Sequence, residues 1–90
     1  MNSIRIREYH LEDWLGLYLD GELIYEGDYV GTEMIARIIN QNLPLKELDY
    51  NREWIDEYWE EFTDFFGDAF PEREFVLLKF LETLNDNEDL

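Results

Sequence analysis

Apolar and polar residues change their period along this chain. Ile4-Arg5-Ile6-Arg7 alternates at every second position, the pattern of a short, half-buried strand. Residues 14–19 and 22–26 are apolar-rich runs on either side of Asp20-Gly21, a dipeptide suited to a two-residue hairpin turn. Such a turn sets Tyr18 opposite Leu23 and Leu17 opposite Ile24. One hairpin face then carries Trp14, Tyr18, Leu23 and Tyr25. The other carries Leu15, Leu17, Leu19 and Ile24, with Glu22 and Glu26. Both faces are partly apolar, so the pattern leaves open which one meets the rest of the fold.

Beyond Gly31 the period lengthens. Thr32 is a suitable N-cap for a helix through Met34, Ile35, Ile38 and Ile39, ending near Asn42 because Pro44 disfavours helical geometry before it. Residues 43–50 read as a loop, and Asp49 or Asn51 as the cap of a second helix over 53–68. Gly67 is placed to end that helix. Pro71 stands where a first helical residue is expected, and a last helix over 72–84 is apolar nearly all round, which makes it central. Residues 85–90 form a polar, acidic tail. The chain is expected to be a single α+β domain over 1–90: a three-stranded antiparallel meander followed by three helices packed on one side.

The helix over 53–68 has two opposed faces. At about 100° per residue, Trp54, Ile55, Tyr58, Trp59, Phe62, Phe65 and Phe66 fall on one arc of roughly 140°. Glu53, Asp56, Glu57, Glu60, Glu61 and Asp64 fall opposite, with no Lys or Arg among them. Bases at i+3 or i+4 normally stabilise such a face; here like charges occupy those spacings and carry a cost. The aromatic arc is expected to hold the helix down, with Trp54, Tyr58 and Phe62 in the core and Trp59 nearer the rim.

Charge sharpens this picture. The chain holds 23 acids against 7 bases, a net charge of −16. The blocks 11–32 and 51–68 each sum to −6, and 82–90 to −4. This sign disfavours direct binding to nucleic acid or to an anionic membrane and favours a basic partner. Aromatics at 17% argue against disorder, since disordered acidic chains are poor in them. There is no Cys and no apolar run near the ~20 residues of a membrane span. The first residues lack a signal-peptide core, and a cytoplasmic location is expected.

Catalytic chemistry is poorly represented. His10 and Ser3 are single instances of their types, no nucleophile–base spacing is visible, and no Gly-rich phosphate loop is present. Carboxylate pairs on an exposed face lack the burial that raises a catalytic pKa. His10 reads as a turn or surface residue. The tail Asn85-Asp86-Asn87-Glu88-Asp89 lacks the central Gly and distal Glu of a calcium loop. No enzyme activity, cofactor or metal is expected.

A short, Cys-free, strongly acidic chain rich in Trp, Tyr and Phe, with the file Glu53, Asp56, Glu57, Glu60, Glu61 and Asp64, resembles the small DNA-mimic and anti-CRISPR proteins of phages. It is also similar in size and charge to small acidic immunity proteins. The first resemblance implies a non-enzymatic inhibitor that blocks a nucleic-acid-binding protein by mimicking the phosphate backbone; the second, an immunity protein or antitoxin masking a basic toxin or nuclease. Glu53, Glu57, Glu60 and Asp64 on one helix span ~16 Å at 1.5 Å per residue, sparser than B-DNA with a charge per about 1.7 Å. A second acidic block (Glu12, Asp13, Asp20, Glu22, Glu26, Asp28) has to extend the file. The expected partner-binding set is Glu53, Asp56, Glu57, Glu60, Glu61, Asp64, Glu22, Glu26, Asp28 and Trp59. Trp59 and Phe66, with Trp14 and Tyr18 on the hairpin, are the aromatic anchors considered. A small subunit or homodimer joined by the apolar hairpin face, with a merely solubilising acidic surface, is a further alternative to a monomer.

Overall fold

The computed structural model describes residues 3–28, 37 and 47–88. Strands β1 (Ser3–Leu11), β2 (Trp14–Leu19), β3 (Glu22–Gly27) and β4 (Glu47–Trp54) form one mixed sheet in the order β3-β2-β1-β4. Neighbours β1–β2 and β2–β3 are antiparallel, and β4 lies parallel to β1. A 3-10 turn (Asp56–Tyr58) leads into α1 (Trp59–Phe66), and α2 (Glu74–Glu88) follows. The three-stranded meander with three helices is thereby corrected to a four-stranded mixed sheet and, among the described residues, two α-helices. The helix expected after Thr32 lies outside the described residues except at Arg37, which is helical and exposed.

The largest revision concerns residues 47–54. Residues 47–54, split between the expected loop and the acidic helix, are strand β4, with Tyr50 opposite Ile6 and Trp54 opposite His10. Asp49 and Asn51 are therefore strand residues rather than caps. The long helix is only its second half. Ile55 donates its N–H to the His10 carbonyl (2.8 Å), continuing the sheet rather than starting a helix. Its side chain is buried, and the chain turns from there into α1. Gly67 does end α1: with φ 73° it donates its N–H to the Thr63 carbonyl at 2.9 Å.

The Asp20-Gly21 turn forms with both residues at positive φ, as such hairpins require. Tyr18 pairs with Leu23, but a bulge at Leu17/Tyr18 pairs Leu17 with Tyr25 instead of Ile24. The extra residue turns Tyr25 to the Leu17 face and leaves Ile24 exposed.

Both sheet faces are buried. The helices cover Tyr9, Leu11 and Tyr18, which join Ile55, Phe62, Phe70, Leu77 and Leu81 in one cluster. The opposite face gathers Ile4, Ile6, Leu15 and Leu17, with Leu19, Tyr25 and Tyr50 against them. Helix α2 starts at Glu74, later than Pro71 predicts, because the segment before it docks on the hairpin tip. Leu23 donates its N–H to the Glu72 carbonyl and Glu74 to that of Gly21, both at 2.9 Å, and the Tyr18 hydroxyl donates to Pro71 O at 2.6 Å. Only one side of α2 is buried, at Leu77 and Leu81, while Phe75 and Leu78 are exposed; it is not the all-round core helix expected.

Candidate functional site

Three chain segments meet at one end of the sheet. The two-residue turn Glu12-Asp13 joins β1 to β2 there, β4 finishes at Glu53-Trp54, and the 3-10 turn starts α1. Glu12 sits at φ 57° and donates its N–H to Asp56 Oδ1 at 2.6 Å, which locks the hairpin turn to the 3-10 turn. Asp28, at the end of β3, lines a hollow of about 460 Å³ with His10, Glu12, Asp13, Trp14 and Leu15. Glu12, Asp13, Asp28 and Asp56 therefore share this end with Glu53 and with the carboxylates that follow.

Glu57, in the 3-10 turn, and Glu60, Glu61 and Asp64, on α1, are all exposed. Among the described residues, ion pairs draw their carboxylates from Glu8, Asp49 and Glu74, not from this group. The expected helical file is not kept. Glu53 belongs to a strand, Asp56 and Glu57 to the 3-10 turn, and only three of the six carboxylates stand on α1. What forms is a broad acidic end, not a line along one axis.

The second block divides. Glu22 lies at the far end of β3, where its backbone pairs with that of Arg73 beside the hairpin tip. Asp20 is there too, accepting the Arg5 N–H at 2.9 Å. Glu26 is half-buried, and its Oε1 accepts the Phe70 N–H at 2.7 Å, a structural task that takes it out of a docking surface. Of Glu22, Glu26 and Asp28, only Asp28, which follows β3, joins the acidic end.

An aromatic cleft of about 390 Å³ opens in this end, lined by Leu11, Trp14, Trp59, Phe62, Thr63, Gly67 and Asp68. Leu11 and Phe62 are buried and form its floor, whereas Trp14 and Trp59 are 40% and 45% exposed. Trp59 is thus at the rim as expected, and Trp14 joins it. Tyr18 is fully buried and is no anchor, Phe66 is half-buried against the core, and Trp54 is exposed instead of core.

The pattern reading missed two polar networks on β1. On the face away from the helices, the buried Glu8 carboxylate lies 2.8 Å from His10 Nε2 and 3.2 Å from Arg52 Nε, and it accepts the Tyr50 hydroxyl. Burial and that bond push the Tyr50 phenol up, against the opposing pull of Arg52. His10 stacks on Trp54 at 5.1 Å, so it is a half-buried strand residue and not a turn. On the helix face, buried Glu74 accepts the Tyr9 hydroxyl and has Arg5 Nη1 at 3.1 Å. Burial raises the phenols of Tyr9 and Tyr18 above the ordinary tyrosine range. The alternation that starts at Ile4 and Ile6 continues through Glu8 and His10, and extending it would have put both on the apolar face. Glu8 therefore acts as a hub that holds His10, Tyr50 and Arg52 across β1 and β4.

Among the described residues no three His, Asp or Glu side chains converge as a metal site, and no helix is long and apolar enough to cross a membrane. No protein-family model, curated protein or solved structure matches this chain. The surface is read from its own chemistry.

Proposed function

We propose that the protein is a non-enzymatic acidic binding module whose acidic end occupies the nucleic-acid-contacting cleft of a basic protein and blocks it. The observation that carries this is the placement of Glu12, Asp13, Glu53 and Asp56 at one end of the sheet with Asp28 beside the hairpin turn, the exposed Glu57, Glu60, Glu61 and Asp64 following on the 3-10 turn and α1, and the part-exposed indoles of Trp14 and Trp59. Lys and Arg that contact phosphates elsewhere meet carboxylates here. A concentration of one sign also steers a basic partner toward this end and speeds encounter. Replacing Glu57, Glu60, Glu61 and Asp64 together by Gln tests the reading. The fold is kept, and binding to a basic nucleic-acid-binding protein falls by orders of magnitude; unchanged binding refutes it.

A second reading, an antitoxin masking a basic toxin, gains from one observation. The carboxylates spread over a strand end, a 3-10 turn and a helix instead of following one axis. A broad patch with exposed Trp14 and Trp59 suits an ordinary protein interface, where aromatic anchors carry much of the binding energy. The two readings share the charge requirement and differ in the partner: a nucleic-acid-binding protein in one, a basic toxin or nuclease in the other.

A further inference from the structure

We propose that the cleft between Trp14 and Trp59 seats an arginine side chain of the basic partner. This rests on the reading of the acidic end as a protein-docking surface, and it assigns the anchoring point of that surface. The floor, Leu11 and Phe62, is buried and apolar, and the walls are two part-exposed indoles. Asp68 is the ionisable group of the lining. The Thr63 hydroxyl is engaged with the Glu60 carbonyl at 3.0 Å, leaving Asp68 as the acceptor with charge.

Size and chemistry narrow the occupant. About 390 Å³ is near the lower end of ligand pockets, suited to one long side chain. A neutral apolar group would fill the floor but gain nothing from the carboxylates of Glu12, Asp13 and Asp56 beyond the Trp14 wall. A lysine brings charge, but its compact, strongly hydrated ammonium stacks poorly. An arginine satisfies every feature. Its aliphatic stem lies on the floor, its planar guanidinium stacks on an indole, and its fork of N–H donors faces a carboxylate.

The test uses two amidated peptides of glycine and lysine, identical except for a single central arginine or lysine. Their net charges match, so the surrounding acids attract both equally. Binding is followed by tryptophan emission in a Trp54→Phe background, where the signal comes from Trp14 and Trp59 alone. The arginine peptide is expected to change the emission and to bind about 3- to 30-fold tighter than its lysine twin, the range of a cation–π contact. Trp14→Leu and Trp59→Leu should each abolish that difference between the arginine and lysine peptides. Asp68→Asn, an exposed position independent of the core, should reduce the difference even if an indole variant loses its fold. Equal affinity of the two peptides in the Trp54→Phe parent, or a preference that survives in both folded Leu variants, overturns the cleft assignment and leaves the acidic-surface reading intact. If neither peptide binds at low salt, the acidic-surface reading itself falls.

Discussion

The Glu12 N–H donates to Asp56 Oδ1 at 2.6 Å, joining two turns that are 44 residues apart in sequence. This contact sets the first strand pair against the entry to α1 and brings two acidic segments to one end despite their like charge. Like charges do not gather without a structural cause. Here the parallel pairing of β4 with β1 sets the two segments side by side, and the hydrogen bond from Glu12, in the left-handed region, ties them.

Asp56→Ala should therefore loosen the acidic end. The expected cost is about 1 kcal/mol, that of one hydrogen bond, read as a lower urea midpoint with an unchanged slope. Asp56→Asn, which keeps an acceptor oxygen, should recover most of it.

The aromatic core makes a sharper demand. Phe62 is 1% exposed and packs on Phe66 and Phe70 at 5.0 and 4.9 Å between ring centroids. Phe62→Ala should cost about 3–5 kcal/mol, enough to unfold much of a small domain near ambient temperature. Trp54→Ala, at a 59% exposed position, should shift the midpoint far less. Equal losses would mean that α1 is seated on a different face.

Gly16 lies where β2 passes under the Phe70 ring. A Cβ there would stand 2.6 Å from Phe70 Cγ, and the ring is held in turn by Phe62. Gly16→Ala should destabilise by about 1–3 kcal/mol through overpacking. The double variant with Phe70→Leu should lose less than the sum of the two single changes.

Alkaline pH supplies a further test. Tyr9 and Tyr18 are held as neutral phenols, chiefly by burial and secondarily by nearby carboxylates, with pKa values raised above the ordinary tyrosine value of about 10. Below that value both states keep the proton and stability is unaffected. Above it the unfolded chain ionises while the folded chain does not, so stability falls with rising pH. Unfolding midpoints should decline from about pH 10 upward, and the decline should be shallower in Tyr9→Phe and Tyr18→Phe. A slope unchanged in both variants would place these phenols in contact with water.

The hairpin was legible because its signal is local. Asp20-Gly21 supplies positive φ at adjacent positions, and the Tyr18–Leu23 pairing follows from it. The bulge that turns Tyr25 over has no comparable marker. Strand β4 was misread for a different reason. Leu48, Tyr50, Arg52 and Trp54 do alternate with Asp49, Asn51 and Glu53. However, Trp54 and Ile55 also fit the helical period of the residues after them, and a parallel partner in β1 leaves no turn signal nearby. The helical reading of 53–58 consequently absorbed a strand end. Of the site, Trp59 and the exposed acids of α1 were recognisable from sequence. The meeting of Glu12, Asp13 and Asp28 with them was not, because it depends on that parallel pairing and on the Asp56 contact.

Salt and nucleic-acid competition bear most directly on the proposed function. A basic nucleic-acid-binding protein retained by this chain at about 0.05 M salt, where the Debye length is roughly 14 Å, should be challenged with a short DNA duplex while both affinities are measured. Mutually exclusive binding is predicted: duplex releases the partner from this protein, this protein releases duplex from the partner, and both exchanges weaken steeply toward 0.5 M salt. A stable complex of all three, with neither affinity reduced, would contradict occupation of the nucleic-acid cleft.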